Sequence, residues 1–200
     1  MTIRQTEPST ERFLADVAQH ELTILRDDGL FRHLRFAKPT RAAGFELVTW
    51  PGYLCITGSM GTYVFSRIDD MFDFFRSPTD RELLQINEGY WAEKLEATDA
   101  HVGHRAYSPI KFRERVNHWL DADEASPEVR QQVQERVLAR ADDGEFWAMQ
   151  AAVNFEHAGF QLTNFVEASV RQYTYHFVWC CYAIVWGIHQ YDLRTRRTEW

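Results

Sequence analysis

Asp69-Asp70-Met-Phe-Asp73 spells D-D-x-x-D. On a helix, residues four apart share a face, so Asp69 and Asp73 could together chelate Mg²⁺ bound to a diphosphate. Enzymes built on such a pair need a large helical cavity and a second acidic cluster, and the chain offers neither. The reading adopted is structural: aspartates cap a helix N-terminus and oppose its dipole. His101 and His104 supply two metal ligands, but no H-E-x-x-H and no cysteine pair at ligand spacing completes a site. His176 and Cys180 stand one helical turn apart, which permits a thiolate–imidazole pair. So apolar a helix would instead raise the thiol pKa and leave it inert. Gly58-Ser-Met-Gly61 matches the G-x-x-G of nucleic-acid-clamping loops, yet no lysine lies near it. Thr62-Tyr-Val-Phe-Ser-Arg67 is similar to the aromatic strand of an RNA-binding sheet but lacks its glycine and ring spacing. These patterns lead to the expectation of no catalytic residue, no metal site and no cofactor.

The 200 residues are those of one ordinary domain, and the expectation is a single α+β domain over 1–200. A composition 45% hydrophobic and 14% aromatic can build a substantial core. Net charge is −7, and Asp69 to Asp99 holds nine acids against three bases. An acidic balance makes direct nucleic-acid binding a poor expectation, since phosphate attraction dominates that binding. Cys55, Cys180 and Cys181 form no disulfide framework, which points to free thiols in a reducing cytosol. The first residues, Met-Thr-Ile-Arg-Gln-Thr-Glu-Pro, carry no secretory signal pattern.

The elements that must position these residues follow from period. Ser9-Thr-Glu-Arg12 begins a helix whose apolar positions run Phe13, Leu14, Val17, Ala18, Leu22 and Leu25, ending near Asp27-Asp28-Gly29. Leu30–Phe36, Phe45–Trp50, Tyr53–Thr57 and Thr62–Ser66 read as strands, with Trp50-Pro51-Gly52-Tyr53 a strong turn. Short connections make them a small antiparallel meander of three or four strands over about residues 30–66. Helices follow at Asp69–Phe75, Gly89–Ala97, Pro109–Leu120, Pro127–Ala141 and Glu145–Glu156. A central helix from about Asn164 to Tyr191 ends the list. Ser108-Pro109 and Ser126-Pro127 each place a serine cap before proline at the first helical position. Tyr173 to Ile188 is apolar on every face, but would span roughly 24 Å against a hydrocarbon thickness of roughly 30 Å. It also carries His176, so a core helix rather than a membrane span is expected.

Leu47–Arg67 with its Trp-Pro-Gly hairpin, Ile86–Lys94, and Tyr173–Asp192 with its Trp-Cys-Cys-Tyr run together carry a resemblance. The chain resembles a family of small proteins encoded by bacteriophages, prophages and related mobile elements. That resemblance implies a bacterial host cytosol and an accessory role, and it transfers no catalytic residue. Accessory phage proteins of this size are often inhibitors of host machinery, anti-CRISPR and other anti-defence proteins among them. Asp69, Asp70, Asp73, Glu88, Glu93, Glu96 and Asp99 could form an acidic face that competes for a basic channel on a bacterial partner. Tyr90 and Trp91 sit among them, as interface aromatics do. The expectation is therefore a non-enzymatic partner-binding protein, a homo-oligomer being allowed. The alternative is a small hydrolase or nucleotide-processing enzyme whose site assembles from distant residues.

Overall fold

A computed structural model of the chain describes residues 8–39, 44–76, 84–162 and 170–196. Contacts divide it into two units, one built from 1–104 with 173–200 and the other from 105–172. The class is α+β, as the period changes predict.

The first unit begins with helix α1, Thr10–Val17, capped by Ser9, whose side chain accepts from the Arg12 N–H. Five strands then run as a meander: β1 Glu21–Asp28, β2 Phe31–Ala37, β3 Phe45–Trp50, β4 Tyr53–Gly58 and β5 Gly61–Ser66. After the short helices α2, Met71–Phe75, and α3, Glu88–Ala92, strand β6, Leu95–Ala97, adds to the far edge. Among the described residues the sheet is therefore six-stranded, in the order β1 to β6, rather than three- or four-stranded.

Two misplaced elements account for the difference. Leu22 and Leu25 continue the helical spacing of α1, but Leu22 and Ile24 alternate equally well, and pairing with β2 decides in favour of a strand. Asp28-Gly29 is thus a hairpin turn, with Gly29 at φ 59°, rather than a helix stop. The predicted helix over Gly89–Ala97 stops at Ala92, because Leu95–Ala97 pairs with β5.

Register separates two faces. Leu34, Phe36, Phe45, Leu47, Leu54, Ile56, Tyr63 and Phe65 all point to one side and are at most 2% exposed. That side is covered by α7, Tyr175–Arg196, the predicted central helix. The part of the prediction before it, 164–169, lies outside the described residues. Thr174 starts α7 by accepting the Phe177 N–H and sends its own hydroxyl to the Gly103 carbonyl. Gly187 lets the helix lie close, since a Cβ there would stand 2.9 Å from Leu47 Cδ1 and 3.1 Å from the Phe36 ring. On the other side of α7, Phe13 of α1 packs edge-on to Trp179 at 5.2 Å, and Trp179 Nε1 donates to Asp16. No helix among the described residues is long and apolar enough to cross a membrane.

The second unit holds α4, Pro109–Ala122, α5, Pro127–Arg136, a 3-10 turn at Leu138–Arg140, α6, Glu145–Val153, and a two-stranded hairpin of Glu156–His157 with Phe160–Gln161. Ser108 and Ser126 cap α4 and α5 through the N–H groups of Lys111 and Val129, with proline first in each helix, as predicted. Phe112, Val116, Val133, Ala148 and Ala152 form a core of its own. The buried residues of α4 to α6 thus gather with one another.

Ile184, fully buried on α7, tests the first core. Ile184→Asp is expected to give insoluble protein, because an unpaired charge would be buried. Ile184→Val should cost about 1 kcal/mol by urea unfolding. Soluble, folded Ile184→Asp protein would overturn the assignment of α7 to the core.

Candidate functional site

Asp70 is the N-cap of α2, accepting the Phe72 N–H at 2.9 Å. It also takes a two-pronged ion pair from Arg32 of β2, at 2.9 and 2.8 Å. A bulge at Leu25 prepares this contact. It shifts the alternation of β1 by one residue, so Arg26 faces outward and Asp27 lies opposite Arg32 on the helix side. Tyr191 of α7 donates to Asp27, and the Arg32 guanidinium lies 4.5 Å from the Phe72 ring centroid. One turn on, Arg76 pairs with Asp73 and, through Nε at 2.9 Å, with Asp192 of α7. Asp69 is exposed and offers its carbonyl to the Gly52 N–H. The D-D-x-x-D run therefore acts as a cap and a pair of ionic ties between sheet, α2 and α7.

Burial works against the charged Asp70 carboxylate. The Arg32 hydrogen bonds, the Phe72 N–H and the charges of Arg32 and Arg76 outweigh it, holding its pKa below the ordinary aspartate value.

The remaining acidic candidates separate into spent and available groups. Asp99 caps its own loop, accepting from the N–H groups of His101 and Val102, which lowers its pKa. Trp91 is only 7% exposed and meets Phe75 edge-on at 4.9 Å, so its ring belongs to the core. Tyr90, next to it on α3, is 41% exposed, with Lys94 Nζ 4.7 Å from its ring centroid. Glu93 is exposed and touches Lys94 at 3.5 Å. Glu88 and Glu96 pair with no cation among the described residues. The structure thus leaves Tyr90, Glu88, Glu93 and Glu96 on one short stretch of α3 and β6.

The opposite face of the sheet carries a cluster that sequence spacing did not reveal. His33 of β2 and Glu46 of β3 meet at 2.6 Å, and Arg35 Nε donates to the other Glu46 oxygen at 2.7 Å. The His33 hydrogen bond is the main reason that the Glu46 carboxyl sits below its ordinary pKa, with Arg35 adding to it and burial opposing. Arg35 and Glu46 also line an open groove of about 480 Å³ with Thr57 and Gly58. The groups lie 13 and 11 residues apart, so only the β2–β3 register brings them together. A carboxylate-oriented imidazole is one part of an acid–base device. Cys55 does not join the cluster as a nucleophile, since it lies two strands from His33 on the same face, roughly 10 Å away at ordinary strand spacing.

Other motifs resolve structurally. Tyr63 and Phe65 are fully buried, so the Thr62–Arg67 strand offers no ring to a base. Gly58 and Gly61 flank a two-residue turn, and a Cβ on Gly58 would collide with the Gly44 carbonyl. Cys180 Sγ donates weakly to the Met60 carbonyl rather than to His176. Burial drives the thiol pKa values of Cys180 and Cys181 far upward, and that of half-buried Cys55 upward as well. His101 is exposed and the His104 ring packs 5.9 Å from Phe177; no group of three His, Cys, Asp or Glu able to hold a metal occurs among the described residues.

Two measurements check these assignments. A thiol reagent at neutral pH should label Cys55 slowly and leave Cys180 and Cys181 unmodified until denaturant is added; rapid labelling of either helix cysteine would contradict their burial. Asp70 has a depressed folded pKa, so its contribution to stability is present above the unfolded value and lost as pH falls below about 4. Asp70→Asn should therefore be less stable at neutral pH, and should lose less of its remaining stability between pH 5 and pH 2 than the wild type. Parallel losses would remove the Arg32 tie from the account.

Comparison of the chain with protein-family models, with curated proteins and with solved structures finds no match.

Proposed function

We propose that the chain is a binding protein rather than an enzyme, engaging a basic surface on a bacterial partner. The observation that carries this reading is the stretch around Tyr90. An aromatic ring stands 41% exposed there, among Glu88, Glu93 and Glu96, while neighbouring Trp91 anchors the stretch in the core. A rigidly held ring bordered by carboxylates suits a partner rich in lysine and arginine. Charge would speed encounter, and Tyr90 would supply the desolvated contact. The partner-binding set read from the sequence narrows accordingly. Asp70, Asp73, Asp99 and Trp91 serve the fold, and Tyr90, Glu88, Glu93 and Glu96 remain for contact; Asp69 is exposed but lies elsewhere in the sequence.

The resemblance to phage-encoded accessory proteins supports the further reading that the partner belongs to a host defence complex. Such complexes present basic nucleic-acid channels, and an acidic surface competes for them by mimicking phosphate charge. The site of action would then be the bacterial cytosol.

A second reading rests on the His33–Glu46–Arg35 cluster beside its groove. It would make the protein a small hydrolase whose nucleophile is an activated water.

Affinity capture from a bacterial lysate separates the two. Glu88→Gln, Glu93→Gln and Glu96→Gln in one chain should weaken capture of a specific partner by about tenfold or more at low salt and much less at high salt. Equal capture by the triple variant and the wild type would sink the acidic-surface reading. Hydrolysis of a model ester or phosphodiester, abolished by His33→Ala, would move the assignment to the second reading.

A further inference from the structure

Helix α6 carries three large apolar side chains in solvent: Phe146 is 64%, Trp147 59% and Val153 61% exposed. Its fully buried positions are Ala148 and Ala152, with Met149 partly buried against the same core, while its two largest side chains, Phe146 and Trp147, face outward. That arrangement reverses the usual economy of a core, in which big side chains are buried and small ones tolerate exposure. The Phe146 and Trp147 rings meet edge-on at 5.0 Å, which joins them into one apolar ridge. Beside the ridge lies a cleft of about 320 Å³, lined by Arg136, Arg140, Trp147, Gln150 and Asn154. Gln150 and Asn154 are hydrogen-bonded to each other at 3.3 Å. Arg140 is held by Asp143. Arg136 lies over the Phe155 ring at 5.1 Å and touches the Glu156 carbonyl at 3.5 Å, but pairs with no carboxylate among the described residues.

We propose that α6 is a docking ridge for a short amphipathic segment of a partner protein, bearing one or two carboxylates that seat on Arg136. Three observations select this occupant. The exposed side chains offer on the order of 350 Å² of apolar surface, taking rings and Val at their usual sizes, which is the scale of a functional patch. A stable self-association needs roughly 800 Å² from each copy, so the ridge fits a single helix or peptide better than a second molecule. Charge supplies the third: Arg136 has donors to spare, and tryptophan beside arginine is the composition of an interface centre. A nucleic acid would also stack on Trp147, but Arg140 is already paired with Asp143, so Arg136 alone of the cleft's two arginines is left to receive an anion, which suits one carboxylate better than a run of phosphates.

This surface belongs to the second unit and does not depend on the Tyr90 reading. Selection of a displayed library of linear 12-residue peptides on the full-length protein tests it. Enriched peptides should carry Asp or Glu with aromatic or Leu residues at helical spacing. A synthetic peptide of the enriched sequence should lose about tenfold or more in affinity on Trp147→Ala, and several-fold on Arg136→Gln. Trp147 is exposed, so the alanine variant should keep the wild-type circular dichroism spectrum, and Arg136→Gln provides an independent probe if it does not. Capture through Glu88, Glu93 and Glu96 should be unchanged in either variant. The proposal fails if no peptide is enriched, or if enriched peptides ignore both substitutions. Binding of an oligothymidylate that Trp147→Ala abolishes would assign the ridge to nucleic acid instead. A concentration-dependent dimer in sedimentation, lost in Trp147→Ala, would assign it to self-association and equally overturn the peptide reading.

Discussion

The first unit depends on the closeness with which α7 lies on the sheet. Gly187 is the point of nearest approach, where absence of a side chain leaves room for Leu47 and Phe36 beneath it. From there contacts spread both ways along the helix. Trp179, Trp186 and Tyr182 surround Phe13 of α1, and Phe177 meets Tyr63 of β5. A helix sandwiched in this way has no polar face to give away, which is why Tyr173 to Tyr191 looks membrane-like in composition. Several polar groups at its two ends are directed at specific partners. Tyr191 and Asp192 reach the ionic ties at one end, and the Thr174 cap meets the Gly103 carbonyl at the other.

Those ties explain why so many of the conspicuous acids are unavailable for chemistry. Asp70 and Asp73 have arginine partners, and Asp99 is spent on backbone N–H groups. Charge along a sequence is a poor guide to charge presented to a partner, because paired carboxylates project little field. Near Tyr90, Glu88 and Glu96 have no cation partner among the described residues, while Glu93 touches Lys94.

Strand positions were legible from Phe31 to Ser66, since β-branched and aromatic runs there are bounded by glycine and proline. The serine–proline helix starts at 108 and 126 were legible for the same local reason. β1 was not, because Leu22, Ile24 and Leu25 satisfy both periods and only a partner strand breaks the tie. The His33–Glu46–Arg35 cluster was invisible because its members meet across strands, and register is a tertiary property. Trp91 misled through its neighbours: charges beside an aromatic suggest a surface, yet on α3 the ring turns under Phe75 while Tyr90 turns out. The α6 ridge was hidden by its composition. Glu145-Phe-Trp-Ala-Met-Gln-Ala-Ala-Val has no polar stripe, and a short helix without one gives no sign of which side will stay wet.

The first unit is discontinuous in the chain, its sheet ending at Ala97 and its covering helix beginning at Tyr175. During synthesis the apolar side of the meander must therefore wait for its cover. About 90 residues separate Ala97 from Ile188, which at translation speeds is roughly 5 to 20 seconds. The inserted unit, whose core is complete by Val170, can fold within that interval. A nascent chain of this kind exposes Phe36, Leu47, Ile56 and Phe65 to whatever is nearby, so its yield in a cell should depend on chaperones that hold an open sheet until the last helix arrives.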